Sequence, residues 1–391
     1  MRTVPIPVGY VPLVDAAPLI AAQEMGFAAA EGIALDLHRS PSWSALRDAL
    51  SVGQVAAAHM LAPIPVANAL GLGGGSVGFE AVSVLSVNGT MIGISDALAE
   101  RLDAAGHDYD FADAGAAGRA LIAAAPKPLR IGVPFPFAMH AELVFYWLSA
   151  LGLPSPQSLT VRTLPPPLMA DAMRAGEIDA FCVGEPWASQ AVFEKVATLL
   201  LPGAAIWSFA PEKVLAMRTG WAESEPDLSA RLIRAVWRAG QWLEDDDARS
   251  LAAELLSRPQ YLGVGADLIE RAMKGHFTIR ASGEERSVAR FVVFHEGVAH
   301  FPWRSQAAWI GSQLAGRMGL DRAGAAQKAA RIFRSDLHRA ALAPLGVNLP
   351  AASARVEGAL AGDSPSAGAR GPLRLGRNRF FDGGLFDPEI H

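Results

Sequence analysis

One pattern is written twice in this chain, and it constrains the fold more than any other feature. Ala49-Leu50-Ser51-Val52-Gly53-Gln54-Val55-Ala56-Ala57 runs on to Pro63, and Ala172-Met173-Arg174-Ala175-Gly176-Glu177-Ile178-Asp179-Ala180 runs on to Pro186, with the same Gly-to-Pro spacing. Each copy describes a helix stopped by glycine, a short buried strand and a proline-marked turn. The upstream stretches match too: a β-rich run (Val4 to Val8; Leu129 to Val133) precedes a Pro-containing loop, a helix and a second short strand. Helices alternating with strands imply parallel sheets with crossover helices. Two such α/β lobes leave an interface between them, a common place for a small ligand.

In the first lobe the expected strands are Val4 to Val8, Ile33 to Leu37 and Val55 to His59. Asp15-Ala16-Ala17-Pro18 opens a helix, with Asp15 the candidate N-cap and proline in the first turn. Pro41-Ser42-Trp43-Ser44 leads into the second helix. Ala81 to Val87 is strongly β and is broken by Asn88-Gly89, so it is taken as the first crossing into the second lobe. Asp96 to Lys127 is expected to be helical, and Met139 to Leu151 is a helix that stops at Gly152 with Pro154 beyond. Ala204 to Phe209 is the expected return crossing. The resulting division gives residues 1–88 and 205–391 to lobe one and 89–204 to lobe two. Leu228 to Leu243 carries a core-facing stripe of Leu232, Ile233, Val236, Trp237 and Leu243. Ala351 to Leu375, rich in Ala, Gly, Ser and Pro, is expected to be a long loop. The aromatic run Phe380-Phe381-Asp382-Gly383-Gly384-Leu385-Phe386 is expected to pack back on the body.

Composition narrows the function. A chain of 391 residues with 51% hydrophobic and 19% charged residues is globular and can bury more than one core. A net charge of −5 gives no broad basic footprint for nucleic acid or an acidic membrane. The lone Cys182 cannot form an internal disulfide and falls in an expected buried strand, where it acts as a small hydrophobe. Met1-Arg2-Thr3 passes directly into Val4-Pro5-Ile6, without a basic start, an apolar run and a small-residue cleavage site. The apolar stretch Val55 to Leu72 is interrupted by Pro63 and Pro65 and makes a poor membrane span. The expected location is therefore cytoplasmic, away from membranes. Metal-ligand spacings, phosphate-binding loops and dinucleotide fingerprints are not found in the sequence, so no metal, cofactor or catalytic group is expected.

Several segments together resemble one family. They are Ala57-Ala58-His59-Met60-Leu61-Ala62-Pro63, Met139-His140 with Tyr146-Trp147-Leu148, Leu164-Pro165-Pro166-Pro167-Leu168-Met169, Phe181-Cys182-Val183-Gly184-Glu185-Pro186-Trp187, Pro211-Glu212-Lys213-Val214 and Phe301-Pro302-Trp303-Arg304. The chain resembles the nitrate- and bicarbonate-binding proteins of the NrtA type, over nearly its whole length. The resemblance implies a two-lobed periplasmic-binding-protein-like fold of type II, with ligand held between lobes joined by two crossing strands. Family members usually deliver oxyanions to a membrane transporter. The start of this sequence makes it more similar to the soluble sensors of the NasS type. On that reading it is a cytoplasmic nitrate/nitrite sensor that holds a NasT-like RNA-binding antiterminator and releases it when the anion binds, and it does not itself contact nucleic acid. The alternative is the substrate-binding subunit of a nitrate or bicarbonate ABC transporter. An enzyme on the same fold ranks last.

The resemblance places the ligand residues at Trp43, Thr90, His140 and Lys213. Nitrate is planar, with three acceptor oxygens and no donor, so its site needs N–H donors and a positive charge. Lys213 would supply the charge; only five lysines occur in the chain, the other 29 basic residues being arginine. His140 falls in the first turn of a helix, where backbone donors are free and the dipole favours an anion. Trp43 opens a helix and its indole N–H can only donate. Thr90 stands where the family often carries an amide side chain, a departure that bears on the choice between nitrate and nitrite. Against these stand the ordinary roles of a surface lysine, a core histidine, a Trp buried for its area and a turn threonine. Glu185 would repel an anion and is read as a hinge or helix-start contact, and His59 as a strand-end residue.

Overall fold

The structure, a computed structural model, describes residues 3–389. Strands β1 (Val4–Tyr10), β2 (Ile33–Arg39), β3 (Ala57–Leu61) and β4 (Phe79–Asn88) form a first sheet. Strands β5 (Thr90–Ile94), β6 (Leu129–Val133), β7 (Leu159–Thr163), β8 (Ala180–Gly184) and β9 (Thr198–Pro202) form a second. The chain then returns to the first sheet as β10 (Pro211–Arg218).

The two sheets follow one plan. In the first, β1 runs parallel to β2 and β3, and β10 lies antiparallel between β3 and β4. In the second, β6 runs parallel to β7 and β8, and β5 lies antiparallel between β8 and β9. In each lobe the antiparallel strand beside the parallel set is the one by which the chain arrives from the other lobe. Lys213 on β10 pairs with Leu61, the last residue of β3, and Thr90 on β5 pairs with Gly184, the last residue of β8. These two residues therefore hold equivalent places, at the carboxyl ends of the parallel strands where ligands of open α/β sheets gather.

The doubled motif is what builds this symmetry. Gly53 (φ +79°) follows the helix Trp43–Ser51, and Gly176 (φ +67°) follows the helix Met169–Arg174; both take the left-handed conformation that ends a helix. Every residue of β3 and β8 is buried, as befits strands covered on both faces. Pro63 opens the helix Pro63–Ala69 and Pro186 precedes the helix Trp187–Phe193, where a missing N–H costs nothing. Among the described residues no helix is long and apolar enough to cross a membrane.

Three expectations change. The β-rich run taken as the first crossing stays in the first sheet as β4, buried at all ten positions, and the chain crosses at Asn88-Gly89, where φ is positive at both residues. Asp15 does not cap the first helix: it lies in a single turn of 3₁₀ helix, Val14–Ala16, and Ala16 takes the cap position of Ala17–Glu24. Within the stretch read as a long loop, Ser364–Gly368 and Gly371–Leu375 pair as an antiparallel hairpin. Ser364–Gly368 consists of small residues and a proline, which leave no apolar alternation to detect on that strand.

The aromatic tail packs as expected. Phe380 lies with its ring centre 4.7 Å from Trp207, 5.3 Å from Tyr146 and 5.7 Å from Trp309. The Trp207 indole N–H donates to Asn378 (2.6 Å), and the Tyr146 hydroxyl donates to Asp382 (2.9 Å). Tyr146 belongs to the second-lobe helix Met139–Ala150, so the tail grips the opposite lobe. Phe380→Ala should cost about 3–5 kcal/mol of unfolding free energy by urea titration. Phe381→Ala, at a partly exposed position, should cost clearly less; equal losses would show that Phe380 is not the anchor.

Candidate functional site

Lys213 is fully buried at the start of β10, an extreme place for an ammonium. Its Nζ lies 2.7 Å from Asp15 Oδ2 and 2.8 Å from Glu212 Oε1. Asp15 Oδ1 in turn lies 2.9 Å from His59 Nε2, and Glu212 Oε1 lies 3.1 Å from His140 Nδ1. The ammonium sits 5.4 Å from the ring centre of Trp43, whose ring is 5.5 Å from that of His59. All of these side chains are buried.

Both lobes contribute. Asp15, from the turn after β1, Trp43, from the first turn of its helix, and His59, Glu212 and Lys213, from β3 and β10, belong to the first. His140 comes from the first turn of the second-lobe helix Met139–Ala150. Two hydrogen bonds close the lobes beside this cluster: the Val14 N–H donates to the Glu185 carbonyl (2.9 Å), and the Trp187 indole N–H donates to the Pro12 carbonyl (2.9 Å). Glu185 turns its carboxylate to the start of its own helix, where Oε2 accepts from the Ser189 N–H (3.1 Å).

The electrostatics follow from burial. Burial opposes ionisation of Asp15, but the Lys213 ammonium and His59 outweigh it and hold the carboxyl well below the usual range. Burial likewise opposes the charge on Lys213, and Asp15 and Glu212 outweigh it, so its pKa rises. For Glu212 burial prevails over Lys213 and pushes the carboxyl up to about 7. Burial, reinforced by Lys213, holds His140 well below the ordinary value, and burial also lowers His59. Both rings are therefore neutral at pH 7.

Of the four residues expected from sequence, the structure brings Trp43, His140 and Lys213 into this cluster. Trp43 Nε1 and His140 Nε2 are buried without a hydrogen-bond partner among the described residues. In the tautomer that carries the His140 proton on Nε2 they form, with the ammonium, a set of donors drawn from both lobes, which suits an oxyanion. Thr90 is buried too, and its Oγ1 likewise has no hydrogen-bond partner among the described residues; the hydroxyl sits beside the Cys182 thiol and close over Gly203, whose Cβ, were there one, would fall 2.0 Å from Oγ1. A cavity of about 1060 Å³ over Arg119, Ser208, Arg290 and Arg377 lies elsewhere and includes none of the cluster.

Sequence reasoning missed Asp15, His59 and Glu212. Asp15 resembled a helix cap, and His59 the end of a strand. Glu212 was hidden by alternation, which sends neighbours on a strand to opposite faces. Here β10 slips register against β4 on either side of Lys213, and such a bulge lets consecutive residues turn the same way. The adjacent Glu-Lys pair at the head of a crossing strand was the one available signal.

Residues 2–257 match the NMT1-like family. The nitrate/nitrite binding protein NrtA of Nostoc sp. PCC 7120 is 29% identical over 399 residues, covering 100% of this chain and 84% of that protein. The nitrate import ATP-binding protein NrtC of Synechococcus elongatus is 32% identical over 89% of this chain, but the chain spans only 51% of its length. For NrtC of Synechocystis the share is 46%, so the chain is about half the size of these relatives. The crystal structure of the periplasmic nitrate-binding protein NrtA from Synechocystis PCC 6803 superposes with a TM-score of 0.83 at 26% identity, covering 99% of this chain and 96% of that one. The architecture is thus the two-lobed, type II periplasmic-binding-protein-like fold.

These matches overturn the expectation of a cytoplasmic NasS-type sensor that holds a NasT-like antiterminator away from membranes. The relatives are binding and import proteins, and the structural match over nearly the whole of both chains is periplasmic. The cytoplasmic reading rested on the first few residues of the sequence, and the physics of the folded lobes carries no information on location.

The site also sets a pH dependence. Burial pushes Glu185 up to about 7, whereas the unfolded chain titrates near 4, at roughly 4.3. The folded state therefore holds the extra proton, and the stability it contributes is present in acid and is lost as pH rises through about 7. Glu185→Gln should gain on the order of 2 kcal/mol relative to wild type between pH 5.5 and 8. Denaturation at the two pH values measures this, and an unchanged difference would mean that Glu185 is ionised and solvated.

Proposed function

We propose that this chain, which belongs to the NMT1-like family, is the substrate-binding component of an ABC transporter for nitrate or nitrite. Periplasmic binding proteins are non-catalytic, and the chain is not an enzyme. The observation that carries the ligand class is the Lys213 ammonium, buried at the junction of the lobes with the unpartnered donors of Trp43 and His140 around it. An anion of acceptor oxygens complements such a set. Its partner is a membrane transporter complex, to which the protein delivers ligand from the periplasmic side. The NrtA relatives support this reading.

The lobes give the delivery its logic. Donors from both halves reach the anion only when the lobes are together, so ligand favours that arrangement by its extra affinity for it. A transporter that recognises the paired faces of both lobes then meets mainly loaded protein.

Calorimetric titration with nitrate, nitrite, hydrogencarbonate and sulfate at matched ionic strength tests the reading. Nitrate or nitrite should bind and sulfate should not; binding of neither, or of sulfate equally well, rejects it. Lys213→Ala should weaken nitrate binding by roughly a hundredfold or more, because a charged hydrogen bond is lost and two carboxylates are left facing each other. Trp43→Phe, which removes only the indole N–H, should cost about tenfold. Near-native affinity in Lys213→Ala would place the site elsewhere.

A further inference from the structure

The charges at this site do not suit a bare anion. One ammonium, Lys213, already faces two carboxylates, Asp15 at 2.7 Å and Glu212 at 2.8 Å. Were both ionised, nitrate would become a third anion around a single buried cation, and buried charge without compensation is strongly disfavoured. A carboxylate leaves, one of them loses its charge, or a histidine, held neutral here by burial, gains one.

The geometry distinguishes the two carboxylates. Both oxygens of Asp15 have a nitrogen at contact distance, Oδ2 the Lys213 Nζ at 2.7 Å and Oδ1 the neutral His59 Nε2 at 2.9 Å, although Oδ1, like Glu212 Oε2, makes no well-formed hydrogen bond. Glu212 commits only Oε1, to Lys213 and to His140 Nδ1, while Oε2 is buried without a hydrogen-bond partner among the described residues. The titratable groups facing Glu212 are Lys213 on its own strand, Asp15 from the turn after β1, Cys182 from β8 and His140 from the second-lobe helix. Of these only Lys213 carries positive charge, and Asp15 opposes it. His59 acts on Glu212 only through Asp15. A proton on Glu212 removes one negative charge and, lying between Oε1 and His140 Nδ1, leaves the neutral ring its Nε2–H to donate, the kind of group nitrate requires.

Resting on the anion-binding reading above, we propose that nitrate enters this site together with a proton taken up by Glu212, which makes Glu212 the residue that selects anions lacking a proton of their own. The proton comes from solvent, ends on Oε1 facing His140 Nδ1 and leaves with the anion; no bond other than O–H forms or breaks. Nitrate and Asp15 then share Lys213, with the N–H groups of Trp43 and His140 completing the set.

The sign of the linkage is definite. Burial leaves Glu212 titrating at about 7 before nitrate arrives. Below that pH the proton is already present, and above it nitrate must bring one. Affinity is then level in mild acid and falls by up to about tenfold per pH unit above neutrality.

Calorimetry of nitrate binding in buffers of high and low ionisation enthalpy counts the proton directly. At pH 8 the wild-type protein should take up about one proton per nitrate, and at pH 6 well under half of one. Glu212→Gln, whose amide N–H replaces the proton, should take up none and show a flat affinity from pH 6 to 8. Nitrate binding at pH 8 without proton uptake overturns the proposal and leaves the anion site standing. Full uptake retained in Glu212→Gln overturns it in favour of a histidine. Absence of nitrate binding at either pH removes the anion-binding reading and this inference with it.

Discussion

A single ammonium buried where two lobes meet is the constraint on which this structure turns. An amine such as Lys213 stays charged away from water only if its surroundings pay in carboxylates, and Asp15 and Glu212 do so at hydrogen-bond distance. They in turn need partners, and His59 and His140 lie against their oxygens. The five side chains thus form a connected network rather than a lone cation. Its members come from the turn after β1, from β3, from β10 and from a helix of the opposite lobe. Fold and site are inseparable here, because no single element supplies the network.

The exchange of crossing strands explains how such distant segments meet. β10 reaches the first sheet only after the chain has built the second, and β5 enters the second directly from the first. Each lobe is therefore completed by chain that has just left the other. That places Thr90 and Lys213, 123 positions apart, at matching ends of the two sheets. It also explains why they differ in environment. Lys213 sits at a register slip that turns it and Glu212 toward Asp15, whereas β5 meets β8 in regular register through Thr90, whose hydroxyl is left against Cys182 and Gly203.

The plan of the lobes was legible in the sequence because it is written in features that act locally. Glycines at Gly53 and Gly176 stop helices, the apolar runs of β3 and β8 must be buried, and the prolines after them restart helices; none of this needs tertiary knowledge. Trp43, His140 and Lys213 were found through the family resemblance and meet in the folded chain. The rest was invisible for physical reasons. Asp15 has the residue type and spacing of a helix cap, and only the approach of β10 from far along the chain makes it a counter-ion. Glu212 was concealed by the rule of alternation, which a bulge suspends. The hairpin strand Ser364–Gly368 carries only small residues and a proline, whose pairing is a backbone matter. Location lay beyond reach altogether, since two lobes that close on an anion are the same object on either side of a membrane.

The contacts that hold the lobes together are spread to either side of the network. On one side the Val14 N–H reaches the Glu185 carbonyl and the Trp187 indole reaches the Pro12 carbonyl. On the other, the helix Met139–Ala150 is tied to the helix Arg304–Met318 by a buried pair between Glu142 and Arg317, with the Arg317 guanidinium 5.1 Å from the ring centre of Phe145, and to the tail through Tyr146 and Asp382. Glu142 is two residues from His140, so the tie fixes the backbone that presents the histidine. Lobes bridged in this way already hold His140 against Glu212. Moving them apart breaks a buried ion pair, which leaves two charges to be solvated, and such pairs resist separation. Closure is therefore favoured by this pair as well as by the donors that a ligand engages on both lobes. Inside the network the scarce quantity is positive charge, because one ammonium serves two acids. The protonation state of Glu212 therefore sets how much of that charge is left for an anion.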